Sequence, residues 1–134
     1  MSDFSTNLIA DLRANAGQAS SGPFVGRPVL ILITTGAQSG ERRETPVVYS
    51  RDHGAYVIVA SDSGAPTHPA WFHNLMADPQ VTIEVGSERF EMRARVVDEA
   101  ERRRLYDQHA QLHAGFRDYE TQTTRVIPVV LLEP

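Results

Sequence analysis

Two groups of β-forming runs with one helix between them constrain this chain more than any other feature. The first group is 28–35, 44–51 and 55–61; the second is 81–85, 89–97 and 125–132. Val29-Leu30-Ile31-Leu32-Ile33-Thr34-Thr35 is a continuous aliphatic and β-branched run, whereas Val81-Thr82-Ile83-Glu84-Val85 alternates as a half-buried strand does. Asp52-His53-Gly54 and Gly86-Ser87 are turn sequences that join neighbouring runs directly. The helix between the groups covers 68–77, with Pro69 in its first turn and Asp78-Pro79 ending it. A doubly wound parallel sheet requires regular strand–helix alternation, and that is absent. The pattern predicts a mainly β fold with peripheral helices (α+β), a small closed or split β-barrel.

Residues 6–16 read as a short helix capped by Ser5 or Thr6 and stopped by Gly17, with Leu8, Ile9 and Leu12 on one face. The Ser-, Gly- and Pro-rich stretch 18–28 reads as a loop. Residues 98–112 form a charged amphipathic helix with Asp98 as cap and Leu105 facing inward; its Arg102-Arg103-Arg104 triplet reads as a solvated face. Residues 113–122 read as a short helix or loop around Tyr119. The organisation expected is an N-terminal helix and loop over 1–25 and one barrel domain over 26–134.

Composition removes several functions. Cysteine is absent, which excludes disulfides, thiolate metal sites and cysteine nucleophiles. The net charge of −4 argues against general nucleic-acid binding, which needs a basic surface. No apolar run approaches the ~20 residues of a membrane span, and the N-terminus lacks a basic start and apolar centre; a cytoplasmic protein is expected. All 13 basic residues are arginine, the side chain that binds a phosphate or carboxylate through two parallel hydrogen bonds.

Motifs narrow the chemistry further. In Gly36-Ala37-Gln38-Ser39-Gly40 the serine stands one place too late for a nucleophile elbow, and the loop leads into a strand. His68 and His73 do not share a helix face; His109 and His113 do, but no flanking carboxylate completes a metal ligand set. No metal site is expected, and there is neither a P-loop nor a dinucleotide fingerprint. What remains is the loop at 36–44, the loop at 61–67 and the start of the helix near 68, arranged around one groove. Ser39, Arg42, Arg43, Ser61, backbone N–H groups beside Gly40 and Gly64, and a helix N-terminus are the parts of an anion site. Trp71 and Phe72 add flat apolar surface for a planar ring.

Three stretches carry a resemblance. GAQSGERRETPVVY (36–49), VIVASDSGAPTHPAWFHNLMADPQVTIEV (57–85) and DYETQTTRVIPVVLLEP (118–134) resemble, in spacing and order, the deazaflavin (coenzyme F420)-dependent nitroreductase and quinone reductase family. The resemblance implies a flavin-reductase-like split β-barrel that binds coenzyme F420. It further implies hydride transfer from the reduced coenzyme to a quinone, a nitroaromatic or an activated enone. It puts Gln38 and Ser39, with Ala37 beside them, at the coenzyme's phosphate, and Arg43 at its acidic tail. Glu44, Thr45, Pro46, Val47 and Val48 would line the deazaflavin, as would Val59, Ala60 and Ser61. Ala70, Trp71, Phe72, His73 and Asn74 would sit beside the ring or tail, with Asp62 near the tail. Tyr119 would close over the substrate, and Tyr119 and Ser61 are the implied catalytic residues. Family members often carry lysine where Gln38 and Asp62 stand here, and Phe116 lacks the hydroxyl of an aromatic common at that place.

The partners implied are a small-molecule acceptor and, for a quinone, a peripheral membrane contact, on a monomer or homodimer. Two other readings use the same groove. One is a flavin mononucleotide oxidoreductase on the same barrel, which would purify yellow. The other is a non-enzymatic carrier of an anionic amphiphile such as a fatty acid, which would co-purify with lipid and turn nothing over.

Overall fold

The computed structural model describes residues 3–134. Seven strands, β1 (Val29–Thr35), β2 (Arg42–Val48), β3 (Ser50–Asp52), β4 (Ala55–Val59), β5 (Gln80–Val85), β6 (Glu88–Val96) and β7 (Val129–Glu133), form one antiparallel sheet. Its order is β2-β1-β5-β6-β7-β4-β3. The two edges are therefore β2 and β3, yet Tyr49 alone separates them in sequence. One residue spans only ~3.5 Å, so the edges must meet. The sheet curls round into a split β-barrel, with Tyr49 at the corner. The run expected as one strand over 44–51 is thus two strands on opposite edges. Its start also moves back to Arg42, because Arg42 and Arg43 pair across to Thr35 and Thr34 of β1.

Alternation along the strands explains the continuous apolar runs. Leu30, Leu32, Tyr56, Ile58, Val130 and Leu132 point into the barrel, where Trp71, Phe72 and Leu75 of α2 (Ala70–Ala77) close one end. Val57, Val59, Val129 and Leu131 point outward and pack beneath α3 (Glu99–Leu112) and α4 (Gly115–Gln122). Val29, Ile31 and Ile33 point outward beneath α1 (Asp3–Ala14), meeting Leu8, Ile9 and Leu12. A strand buried on both faces needs no polar alternation. Each aliphatic side chain so buried contributes about 1.5–3 kcal/mol.

Helix boundaries differ from expectation in instructive places. The helix α1 starts at Asp3, so Ser5 and Thr6 lie inside it and are not its cap. Its stop is as expected: the Gly17 N–H bonds the Leu12 carbonyl at 2.7 Å. Gly17 takes φ +85°, and a Cβ there would lie 2.5 Å from Gly86 Cα, so only glycine allows the helix end to rest on the β5–β6 turn. The helix α2 begins at Ala70 with Pro69 as its N-cap, because a residue preceding proline is pushed to extended backbone and His68 cannot be helical. Asp98 caps α3, its side chain accepting from the Glu101 N–H at 3.0 Å. Residues 115–122 are helical as α4, and β7 begins only at Val129 because Pro128 has no N–H to pair. The arginine triplet is not merely solvated: Arg102 pairs with Glu99, Arg103 with Glu120 and Asp107, and Arg104 with Asp52.

Histidines at 109 and 113 join α3 to the barrel corner. His113 Nε2 donates to the Tyr49 carbonyl at 3.1 Å, which leaves Nδ1 to accept from Arg27 at 3.3 Å. His109 is fully buried, with Nδ1 at 2.8 Å from Ser50 Oγ and no partner on Nε2. Burial holds the His109 imidazole down at about 3, with the neighbouring His113 and Arg27 acting in the same direction. An unfolded histidine titrates near ~6.5, so below that pH the unfolded chain takes up a proton that the folded chain refuses. This stability is complete above pH ~6.5 and declines as pH falls towards 3. Chemical denaturation at pH 7 and pH 5 should show a loss of about 2 kcal/mol from His109 alone. Equal unfolding free energies at the two pH values would refute the burial of a neutral ring.

Candidate functional site

A cleft of about 960 Å³ opens where the β1–β2 loop meets the start of α2, lined by residues 36–39, 42–45, 70, 71, 73 and 74. The loop is a tight turn. The Gly36 N–H bonds the Glu41 carbonyl at 2.7 Å, and the Gly40 N–H bonds the Gly36 carbonyl at 2.9 Å. A Cβ on Gly36 would meet Ser39 Oγ at 2.5 Å, so glycine is needed for the serine to fold back. Asn74 moors the loop: its Oδ1 accepts from the Ala37 N–H at 2.9 Å while its Nδ2 donates to Thr34 Oγ1 at 3.1 Å. Being buried and bonded through both its oxygen and its nitrogen, Asn74 sets the distance between loop and helix.

These bonds narrow one expectation. The N–H groups of Gly40, Glu41 and Gly64 are taken up within their own turns. Gly40 bonds Gly36, the Glu41 N–H bonds Ser39 Oγ, and Gly64 bonds the Ser61 carbonyl. Side chains add further donors. Ser39 Oγ accepts from Glu41 N–H at 3.1 Å and from Arg43 at 3.4 Å, leaving its own proton to donate outward. Arg42 and Arg43 are half-exposed, and α2 starts without a side-chain cap beside Ala70 and Trp71. Trp71, buried in the barrel core, gives the cleft an aromatic wall. Glu44 is the carboxylate of the lining; hydrogen bonding from Arg13 in the first place holds it below the usual carboxylate range.

The groove expected from both loops is divided. Residues 61–67 do not line the cleft. Asp62, Ser63 and Gly64 all take positive φ (+47°, +55° and +81°), and this left-handed turn packs on α4, where a Cβ on Gly64 would strike Gln122. Asp62 is exposed there, and Ser61 is buried just before the turn. Tyr119, half-buried against Phe116, stands three residues before Gln122 and so on the same face of α4. Val59 packs outward under the helices, Ala60 lies in the barrel core, and Phe72 closes the barrel end. Pro46, Val47 and Val48 continue β2 beyond the cleft, Val47 against the barrel core and Val48 against the α1 core. Phe116 is buried among Tyr106, His109 and Tyr119, so its missing hydroxyl bears on packing under α3.

Two residues escape sequence reasoning. Arg125 donates to the carbonyls of Ala65 (2.9 Å), Ala60 (3.1 Å) and Ser61 (2.7 Å) and to His68 Nδ1 (2.9 Å), stapling the whole 60–68 segment. Arg13 of α1 reaches Glu44 at 2.7 Å and Glu84 at 2.9 Å. Neither has a motif around it; a lone arginine among polar residues gives no signal.

Comparison with known proteins names the family to which this split barrel belongs. The model of the F420H(2)-dependent quinone reductase family matches residues 7–134. An F420H(2)-dependent quinone reductase of Mycobacterium tuberculosis is 43% identical over 108 residues, covering 78% of this chain and 72% of the relative. Among solved structures, an F420-H2 dependent reductase superposes with a TM-score of 0.73 at 34% identity, covering 80% of this chain and 95% of that one. A chain described as a domain-swapped dimer does so with a TM-score of 0.75 at 31% identity, covering 96% and 93%. The chain belongs to the F420H(2)-dependent quinone reductase family, an oxidoreductase family, and coenzyme F420 is its cofactor. The donor set fits that group: arginines and a serine for its anionic end, an aromatic wall for its ring, and one carboxylate already held by arginines. No helix among the described residues is long and apolar enough to cross a membrane.

Proposed function

We propose that this protein reduces a quinone, with nitroaromatics and activated enones as further acceptors. The observation that carries the reading is the cleft's pairing of Ser39, Arg42 and Arg43 with the Trp71 wall. The reduced deazaflavin supplies the hydride. The residues of the chain orient and polarise. Gln38, Ser39 and Arg43 hold the phosphate and acidic tail, while Thr45 of β2 and Ala70, Trp71, His73 and Asn74 of α2 set the ring. Fixing two reactants in register lowers a barrier by on the order of 7 kcal/mol. Ser61 and Tyr119 hydrogen-bond the acceptor oxygen as it gains charge, the roles that the family pattern implies for them. The setting proposed is cytoplasmic, with a peripheral approach to the membrane for a lipid quinone. The assembly is a monomer or a homodimer.

Titration with the oxidised coenzyme should quench the fluorescence of Trp71, the chain's one tryptophan, and the reduced coenzyme should be consumed with a quinone. A bound coenzyme without quinone turnover would overturn the acceptor assignment. Tyr119→Phe should lower kcat about ten- to a hundredfold while leaving coenzyme affinity unchanged, as expected for a donor that acts on the transition state. An unchanged kcat across several acceptors would return Tyr119 to a packing role against Phe116.

A further inference from the structure

Glu44 is an awkward residue for an anion cleft, and the fold answers it from the N-terminal helix. In register, Glu44 of β2 lies opposite Ile33, and Glu84 of β5 lies opposite Ile31, so the two carboxylates flank β1. Ile31 and Ile33 point to the face that α1 covers with Leu8, Ile9 and Leu12. Cross-strand partners share a face, so both carboxylates emerge where the last turn of α1 ends. Arg13 sits between them. Its Nε and one terminal nitrogen each donate to Glu84 at 2.9 Å, and its terminal nitrogens donate to Glu44 at 2.7 and 3.4 Å. Arg42 adds a second contact to Glu44 at 2.8 Å, and Arg89 lies 3.5 Å from Glu84.

We infer that Arg13 is a positioning residue for the cofactor: by occupying Glu44 from outside the barrel, it keeps the cleft's potential positive and leaves Arg42 able to turn to an anion. This rests on the reading that the cleft takes the coenzyme's anionic end. Without Arg13, the Glu44 carboxylate has Arg42 as its remaining partner, and that arginine is then committed to it. The Glu44 charge at the cleft edge would then be offset by one guanidinium instead of two. The α1 helix thereby contributes to the site without lining it.

The test is coenzyme titration by Trp71 fluorescence on the parent, Arg13→Gln, Glu44→Gln and the double variant, with melting temperatures on each. Arg13→Gln should raise Kd about fivefold at low ionic strength, the scale of one part-exposed charge pair, and much less at high salt. The coenzyme KM should rise with it while kcat at saturation holds. Adding Glu44→Gln should restore Kd to the parent value, because the harm acts through the freed carboxylate. Arg13→Lys, which keeps the charge without the two-sided fork, should stay within about twofold. A lower melting temperature with unchanged Kd in Arg13→Gln, or a double variant that fails to recover, would overturn the role. Arg43→Ala in parallel separates the two layers. If it weakens binding and Arg13→Gln does not, Arg13 alone is wrong; if neither does, the anion cleft itself is.

Discussion

Replacing Arg43 by alanine should raise the coenzyme's Kd by at least about tenfold at low ionic strength, consistent with the ~1.5–3 kcal/mol of a charge-assisted hydrogen bond. Arg43 is the arginine that register directs to the cleft side. It pairs across to Thr34, whose hydroxyl accepts from Asn74 in the cleft wall. Its bonds within the protein are weak ones, to Ser39 at 3.4 Å and to Glu41 at 3.5 Å, and its side chain is 54% exposed. The guanidinium is therefore held near the cleft without being consumed there. Two consequences distinguish a binding role from a structural one. The melting temperature should not change, since little is lost on removing long, exposed contacts. The affinity loss should shrink as salt rises, because the Debye length falls from ~30 Å at 0.01 M to ~8 Å at 0.15 M. Equal Kd values for parent and variant at low salt would exclude Arg43 from the anion site.

A second large effect is expected at a residue outside the cleft lining. Arg125→Met should cost about 3 kcal/mol and lower the melting temperature by roughly 10 °C, with most of the activity lost. The staple joins three carbonyls and His68 across the segment that leads from β4 to α2. Two of those carbonyls belong to buried residues, Ala60 and Ser61, and a buried acceptor without a donor costs ~1–3 kcal/mol. The same segment holds Asp62 and Ser63 at positive φ, a conformation that costs non-glycine residues roughly 1–2 kcal/mol each. The bonds from Arg125 offset that strain. Methionine keeps the length and loses every donor. Arg125→Lys should fail almost as badly, because one ammonium cannot face three separated carbonyls as a guanidinium fork does. Retention of the parent's melting temperature in Arg125→Met would show that the turn holds itself.

How much of this was readable without coordinates follows from the range of the interactions. Strands and helices were legible because their causes are local. The aliphatic run at 29–35, the alternation at 81–85, Asp98 before a helix and Gly17 after one each act over a few residues. The loop at 36–44 was legible as a serine- and arginine-bearing turn between strands, and as part of a family pattern from its spacing. The family comparison bore out the cofactor. What lay beyond the sequence was which of two loops shares the cleft. Nothing in Ser61-Asp62-Ser63-Gly64 signals three consecutive left-handed residues, and it is contact with Gln122, far along the chain, that turns the segment towards α4. Nor could hydropathy show that 44–51 breaks at Tyr49, since closure of the barrel there depends on all the other strand pairings at once.

The sequence by itself determined the β-rich class, the two-sided burial of its central strands and the cationic, aromatic character of one loop and one helix start. Those follow from residue type and period. Tertiary structure alone decided that Arg13 and Arg125 matter, because a guanidinium's worth depends on which oxygens lie within about 3 Å of it. For Arg13 those belong to Glu44 and Glu84, brought together only by the register of β2 and β5 on either side of β1. For Arg125 they are backbone carbonyls some sixty residues earlier in the chain, exposed to it only because a strained turn presents them.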